Sequence, residues 1–321
     1  MAGGYDLRSL ENAVENPSLV VSELQNLWSS VYHRGYEYAF RRRYGEGIDV
    51  MAADWDNLVV LDACRWDYFR DQNPIEGEFE RVVSQGAGSW PFMEGNFAGR
   101  ELHDTVYVSS NPFARNLDGG TFHDVELPLD RWDEEFNTVR PGDVVDVALD
   151  YHERYPNKRL IVHFMQPHRP HLGPTAGRLR ERVELRGYNR DRGLDDPSYE
   201  RTGIHLWQAV EDGRVSISEM RQSYRECLDI VLGHASDLVD ALDGRSVVTA
   251  DHGELLGERL PPSPQRRYGH GKPQCSQLRV VPWLVVEADT RREVTSEPPV
   301  ETDRVDESVV EERLHALGYR D

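Results

Sequence analysis

Three observations predict an α/β fold built on a mostly parallel sheet. Short continuous apolar runs recur along the chain, helical stretches separate them, and several runs stop abruptly at aspartate or histidine. An apolar run without alternation belongs to a strand buried on both faces, as in a parallel sheet covered by helices on either side. Ligands of such sheets bind beyond the carboxyl ends of the strands, which is where these aspartates and histidines fall.

The elements follow in order. Residues 18–43 read as a helix, with Ser18 as N-cap and Val21, Leu24, Trp28, Val31 and Tyr32 at helical spacing. Its aromatics and the run Arg41, Arg42, Arg43 suit a membrane surface, but packing on its own domain is the ordinary fate of such a helix. "DNLVVLDACRWD" then gives a buried strand, Leu58 to Leu61, ending at Asp62. "DTVYVSSNP" (104–112) ends in small polar residues, and "KRLIVHFMQPH" (158–168) ends in histidines. Residues 172–214, rich in Gly, Arg and Asp, read as a long surface insertion.

The clearest helix is residues 216–244. Ser216 and Glu219 have capping-box spacing, and Ile217, Met220, Tyr224, Leu228, Val231, Ala235, Leu238 and Leu242 form one stripe before Gly244. "SVVTADHGELLGE" (246–258) is a small β-branched strand stopped by Asp251 and His252, two side chains able to ligate a metal, with Gly253 permitting a sharp turn. "QLRVVPWLVVE" (277–287) reads as a further strand interrupted by Pro282. The expected organisation is an N-terminal helical extension (1–50), a main domain (51–290) carrying the 172–214 insertion, and a polar tail (291–321) with a short helix in "ESVVEERLHALGY".

Composition narrows the partners. The formal charge of −20 argues against nucleic acid, whose binding needs basic residues on phosphates, and against anionic lipid. Lysine occurs only at Lys158 and Lys272, against 57 acidic residues. That balance points to a high-salt cytosol, as in a halophilic archaeon, where screening tolerates self-repulsion. A GC-rich genome also explains the arginine bias, though less well the acids. Cys64, Cys227 and Cys275 are scattered and odd in number, so neither a disulfide framework nor a CxxC knuckle is expected. Neither a signal-peptide pattern nor a membrane-spanning stretch is evident, and a cytoplasmic protein is the expectation.

Taken together, these residues resemble the alkaline phosphatase/sulfatase superfamily, nearest its sulfatase-like branch, between about residues 57 and 287. "VVLDACRWD" resembles the opening strand with its metal-binding aspartate, and "TADHGELLGE" the second metal motif. "YGHG" (268–271) before "LRVVPWLVV" resembles the histidine-bearing loop that follows, and "HFMQPHRPH" the histidine loop after a central strand. The resemblance implies a three-layer α/β/α sandwich of the alkaline phosphatase type. It also implies a nucleophile at a helix start between the first metal aspartate and the next strand. In "SQGAGSWPFMEGNF" Ser89 fits that place, just before Trp90 and Pro91, where a helix N-terminus helps stabilise an alkoxide. The sequence departs from sulfatases in two respects: Ser89-Trp90-Pro91-Phe92-Met93 lacks the arginine of the C/S-x-P-x-R motif, and Ala63 stands where a second aspartate would follow Asp62. A plain serine is therefore expected rather than formylglycine.

The implied site has Asp62, Ser89, Asp251 and His252 around one divalent ion, with Zn²⁺ or Mn²⁺ favoured over Mg²⁺ or Ca²⁺ by the imidazole. His168 and His270 would ligate a second metal or protonate the leaving oxygen, the one-metal arrangement being preferred. Arg65 and Lys272 are candidates for the anionic oxygens of the substrate. His163, within its strand, is expected in the core, and His171 is ambiguous. The expected activity is hydrolysis of a phosphate or sulfate ester through a seryl intermediate, with group transfer or a non-catalytic binding role as alternatives. A different enzyme class, the C-x5-R loop of cysteine phosphatases, is matched in spacing by Cys64 and Arg70. The bulky "RWDYF" between them and the neighbouring Asp62 oppose it.

Overall fold

The computed structural model describes residues 17–133, 135–183, 185 and 205–300. They fall into two units, one comprising the helix Pro17–Tyr44 with Lys272–Cys275, the other running from Glu46 to Gly271 and resuming at Ser276. In the first unit the three consecutive arginines occupy the last helical turn, where they oppose the negative end of the helix dipole. Among the described residues no helix is long and apolar enough to cross a membrane.

The second unit is organised by a mixed sheet of seven strands. In chain order the strands of the structure are β1 (Asn57–Asp62), β2 (Glu78–Val83), β3 (Leu102–Ser109), β4 (Phe122–Glu126), β5 (Trp132–Asp133), β6 (Thr138–Val139), β7 (Arg159–Pro167), β8 (Ser246–Ala250), β9 (Leu255–Arg259), β10 (Arg266–Gly269) and β11 (Val280–Val286). The main sheet runs β2-β11-β8-β1-β7-β3-β4, with β5–β6 and β9–β10 forming separate two-stranded pairs. β1 lies parallel between β7 and β8, β3 and β4 continue in the same direction, and β11 alone runs against its neighbours. β1 and β8 are buried along their whole length, as continuous apolar runs require.

Pro282 does not interrupt its strand. It lies near the start of β11 and its carbonyl accepts the Thr249 hydroxyl of β8 at 2.7 Å. The outer strands β2 and β4 have no counterpart in the apolar runs of the sequence; β2 is mostly exposed or half-buried and carries Glu78, Glu80 and Arg81. Charge on an edge strand discourages further pairing, and it also erases the hydrophobic signal.

The helices Pro141–Arg154 and Ile217–Ala241 pack on each other and on β7. The second has the Ser216–Glu219 capping box in both directions, and Met220, Tyr224, Leu228, Val231, Ala235 and Leu238 of its stripe are buried. The helix ends three residues before Gly244. Gly244 instead turns the chain into β8 at φ 77°, where a Cβ would meet Asp56 at 2.6 Å.

Within the expected insertion, Pro174–Arg182 and Leu206–Glu211 are helical, while residues 186–204 lie outside the described residues. The expected C-terminal helix also lies outside them. The tail up to Val300 is tied down by Arg291 to Asp54 and Asp56, Arg292 to Asp243, and Lys158 to Glu297.

Candidate active site

Two residues of the site stand where central strands stop. Asp62 closes β1 and Asp251 follows the last residue of β8. Between them the chain adopts an unusual turn: Ala63 has φ 60°, a left-handed conformation that costs a non-glycine residue about 1 kcal/mol. The turn aims the Ala63 N–H at Asp251 Oδ1, 3.0 Å away, and the same oxygen accepts the His252 N–H at 2.7 Å. Tyr224, from the long helix, holds the turn: its hydroxyl donates to Ala63 O at 2.8 Å and accepts the Arg65 N–H at 3.0 Å. Gly253 is required by close approach, since a Cβ there would lie 2.1 Å from the Gln277 carbonyl oxygen.

Ser89 is the first residue of the helix Ser89–Asn96, and Phe92 N–H closes its first turn on Gly88 O at 3.1 Å. The Ser89 hydroxyl donates to Asp62 Oδ2 at 3.2 Å and lies 3.4 Å from His252 Nε2. His252 Nε2 is also 3.4 Å from Asp62 Oδ1 and 3.5 Å from Asp251 Oδ2. A tetrahedral ion with ligand bonds near 2.0–2.2 Å keeps its ligand atoms about 3.3–3.6 Å apart. Asp62, Ser89 and Asp251 thus each stand at metal-ligand spacing from His252 Nε2, and ligand atoms of Asp62, His163 and Asp251 also fall within 4.8 Å of one another. Asp62 Oδ1 and Asp251 Oδ2 are buried and have no hydrogen-bond partner among the described residues. Two bare carboxylate oxygens beside an imidazole and a hydroxyl fit a divalent cation, because buried charge left unpaired is costly.

Electrostatics agree with that fit. Burial, then repulsion from Asp251, pushes the Asp62 carboxyl up. Burial opposes charge on His252, yet Asp251 and Asp62 outweigh it and push the imidazole up to about 10. Burial likewise opposes charge on Asp251, and the neighbouring His252 and His163 hold it below the ordinary carboxylate range. Two buried carboxylates around one imidazole thus favour positive charge between them.

A second group stands beside the first. His168 N–H donates to Asp62 O at 3.0 Å, placing this histidine directly after β7. The His270 ring lies 5.3 Å from His168 and 4.4 Å from His252, centroid to centroid. Glu254, buried, lies with Oε1 3.2 Å from His270 Nδ1. Ligand atoms of His168, Glu254 and His270 all fall within 4.8 Å of one another. Burial, then His270 and Arg169, holds His168 well below the usual imidazole range, leaving it neutral.

The remaining candidates are placed differently. The Arg65 guanidinium is taken up by Asp67, at 2.7 and 2.9 Å, and by Glu258 at 2.5 Å. Lys272 is exposed and belongs to the unit of the N-terminal helix. His171 is buried against Ser223 at 2.7 Å. Cys64 is fully buried with its thiol pushed far up by burial, and Arg70 is half exposed beside Asp71.

Three residues went unrecognised in the sequence. Asn111 Nδ2 donates to Asp62 Oδ2 at 2.7 Å, the oxygen that Ser89 approaches. Glu254 supplies the acid of the second group; its place in Asp-His-Gly-Glu, just past a glycine turn, was the available signal. His163 is in the core as expected, but its Nε2 faces Asp251 Oδ2 at 3.6 Å.

No family model matches the sequence, and no curated protein matches it. Solved structures do resemble the fold. The integral membrane lipooligosaccharide phosphoethanolamine transferase A of Neisseria meningitidis aligns with 88% of this chain and 60% of its own, at TM-score 0.50 and 14% identity. A phosphonate monoester hydrolase of Silicibacter pomeroyi aligns over 81% of this chain and 72% of its own, at TM-score 0.42 and 14% identity. An alkaline phosphatase superfamily protein of Vibrio parahaemolyticus aligns over 77% and 63%, at TM-score 0.43 and 14% identity. The chain therefore spans about three fifths of the length of the Neisseria transferase, and at this identity the likeness is one of fold. The fold is mixed α/β, a seven-stranded, mostly parallel sheet flanked by helices, and resembles that of the Neisseria transferase.

Proposed function

We propose that the chain is a metal-dependent enzyme acting on phosphate or sulfate esters through Ser89. The observation that carries this reading is the Ser89 hydroxyl, at a helix N-terminus and within 3.4 Å of both Asp62 and His252. Asp62, Ser89, Asp251 and His252 would hold one divalent ion, with Zn²⁺ or Mn²⁺ suited to the donor set. His168, Glu254 and His270 offer a place for a second. When bound, such an ion lowers the hydroxyl pKa and draws charge from the ester oxygens.

The protein's own groups do the rest. Asn111 and the helix start orient Asp62 and Ser89; Ser89 releases its hydroxyl proton to solvent, and Oγ attacks phosphorus or sulfur in line as the bond to the alcohol oxygen breaks. In the one-metal arrangement, which is preferred, His270, largely buried, is instead placed to protonate the departing oxygen, and His168 stands beside it. Water then releases the seryl ester, or an acceptor alcohol does so in a transferase. Serine without the downstream arginine favours unmodified serine chemistry.

The test is turnover of an aryl phosphate, a phosphodiester and an aryl sulfate by protein loaded with Zn²⁺ or Mn²⁺. Each is run with and without a high concentration of a simple alcohol, whose incorporation into product reads out transfer. A preparation that binds either ion stoichiometrically yet turns over none of the three would leave a binding role as the better reading.

A further inference from the structure

The buried face of β7 carries a histidine that the proposed chemistry does not use. His163 is fully buried, and each of its nitrogens has a definite neighbour. Nδ1 lies 2.8 Å from the Tyr107 hydroxyl of β3. Nε2 lies 3.6 Å from Asp251 Oδ2, and neither of these two atoms has a hydrogen-bond partner among the described residues.

The ring is held from several sides. The Tyr107 ring stacks on it at 6.3 Å and 28°, and Phe92 of the Ser89 helix meets it edge-on at 6.4 Å. Tyr107 is in turn packed by Phe97 and Phe122. Burial pushes the Tyr107 phenol up, so it keeps its proton and can donate it. A phenol donating to Nδ1 leaves the ring proton on Nε2, facing the bare oxygen of a carboxylate. The opposite tautomer would set a lone pair against that buried oxygen, which is unfavourable.

Resting on the reading of the site given above, we infer that His163 is a positioning residue: fixed by Tyr107, it donates Nε2–H to Asp251 Oδ2 and so orients this metal ligand. Asp251 Oδ1 is already tied by two backbone N–H groups. An Nε2–H on Oδ2 removes the last rotation of the carboxylate and leaves its other lone pair for the ion. The present 3.6 Å exceeds a hydrogen bond, and a movement of about 0.6 Å closes it. Hydrogen bonds to ligating carboxylates of this kind raise metal affinity by about 10- to 100-fold.

The experiment measures Zn²⁺ affinity of the full chain by competition with a chromophoric chelator at fixed pH. Thermal unfolding of the metal-free protein is followed alongside. His163→Leu removes the donor at similar volume and should weaken Zn²⁺ by about 10- to 100-fold, with the metal-free fold retained. Tyr107→Phe, which frees the tautomer, should weaken it in the same direction by a smaller factor. His163→Gln keeps an N–H at comparable reach and should stay within about threefold of the parent protein. Parental affinity in His163→Leu would overturn the assignment. Equal weakening in His163→Leu and His163→Gln would also overturn it, since the imidazole would then be binding the ion itself. A parent chain that takes up no Zn²⁺ would remove the site reading as well, so the two failures are told apart.

Discussion

Asp251 Oδ1 accepts the backbone N–H of Ala63 at 3.0 Å, so the residue after β8 is tied to the residue after β1. The bond sits in a turn whose residue Ala63 is left-handed. Ala63→Val should therefore be costly, because a β-branched side chain resists that conformation. A loss of about 2 kcal/mol in chemical unfolding is expected, together with weaker Zn²⁺ binding. Ala63→Gly should be near neutral. Equal stability of the valine variant would show that the turn does not have this geometry.

Ser89→Ala should abolish turnover by several orders of magnitude, as removal of an activated nucleophile does elsewhere, while the carboxylate–imidazole ligands keep binding metal. Cys64→Ala should leave turnover close to the parental rate, because the thiol is buried and protonated. The measurement is phosphoester turnover with metal content determined on the same samples. Full activity without Ser89 would make a water molecule the attacking group.

Asn111 has two jobs, since its amide nitrogen holds Asp62 and its Oδ1 accepts the Phe113 N–H at 2.9 Å. Asn111→Ala should lose about 1 kcal/mol of stability from the missing cap. Asn111→Asp keeps the cap acceptor but buries a second carboxylate against Asp62, so it should lose turnover and be at least as destabilised as the alanine variant. A fully active Asn111→Asp enzyme would deny Asn111 any part in orienting Asp62.

His171 supplies a pH signature. Burial holds its pKa down to about 4, with Arg169 acting in the same sense and Glu254 against it. Its Nδ1–H donates to Ser223, whose own hydroxyl is used on Met220 O at 2.8 Å. The unfolded chain binds this proton near pH 6.5, the folded chain only near 4. Stability from this group is thus full above pH 6.5 and falls through that window, by about 3 kcal/mol in all. Compared with the parent, His171→Gln should unfold with a shallower dependence on pH between 6.5 and 4. Parallel curves would mean the imidazole is not neutral in the fold.

A chain with 57 acidic and 37 basic residues repels itself when ions are scarce. The thermal midpoint should rise from dilute buffer to molar KCl, and a flat response would remove the inference of a high-salt cytosol.

How legible these features are in the sequence depends on what each residue packs against. β1, β7 and β8 are readable because burial on both faces leaves uninterrupted apolar runs. β2 is not, because "EFERVV" sits at an edge and mixes charge into its exposed positions. Asp62, Asp251 and His252 stand out because a charge that ends a buried strand has few structural reasons to be there. The partnership of His163 with Asp251 could not be read, since β7 is buried on both faces and alternation says nothing of which neighbour a side chain meets. Asn111 and Glu254 are hidden for another reason: a turn asparagine and a post-glycine acid are ordinary in sequence, and only the folded loops bring them to the ligands.

The strand order also dictates when this protein can be finished on the ribosome. β1 is among the first strands made, yet its neighbour β8 pairs Ser246 with Asn57. While the nascent chain is shorter than that, β1 has an open edge and Asp62 lacks both Asp251 and His252. A C-terminal truncation before residue 246 would therefore expose an apolar strand as an aggregation template and leave it without metal ligands from β8. The proposed metal site is thus completed late, only in a chain whose central strands have already met.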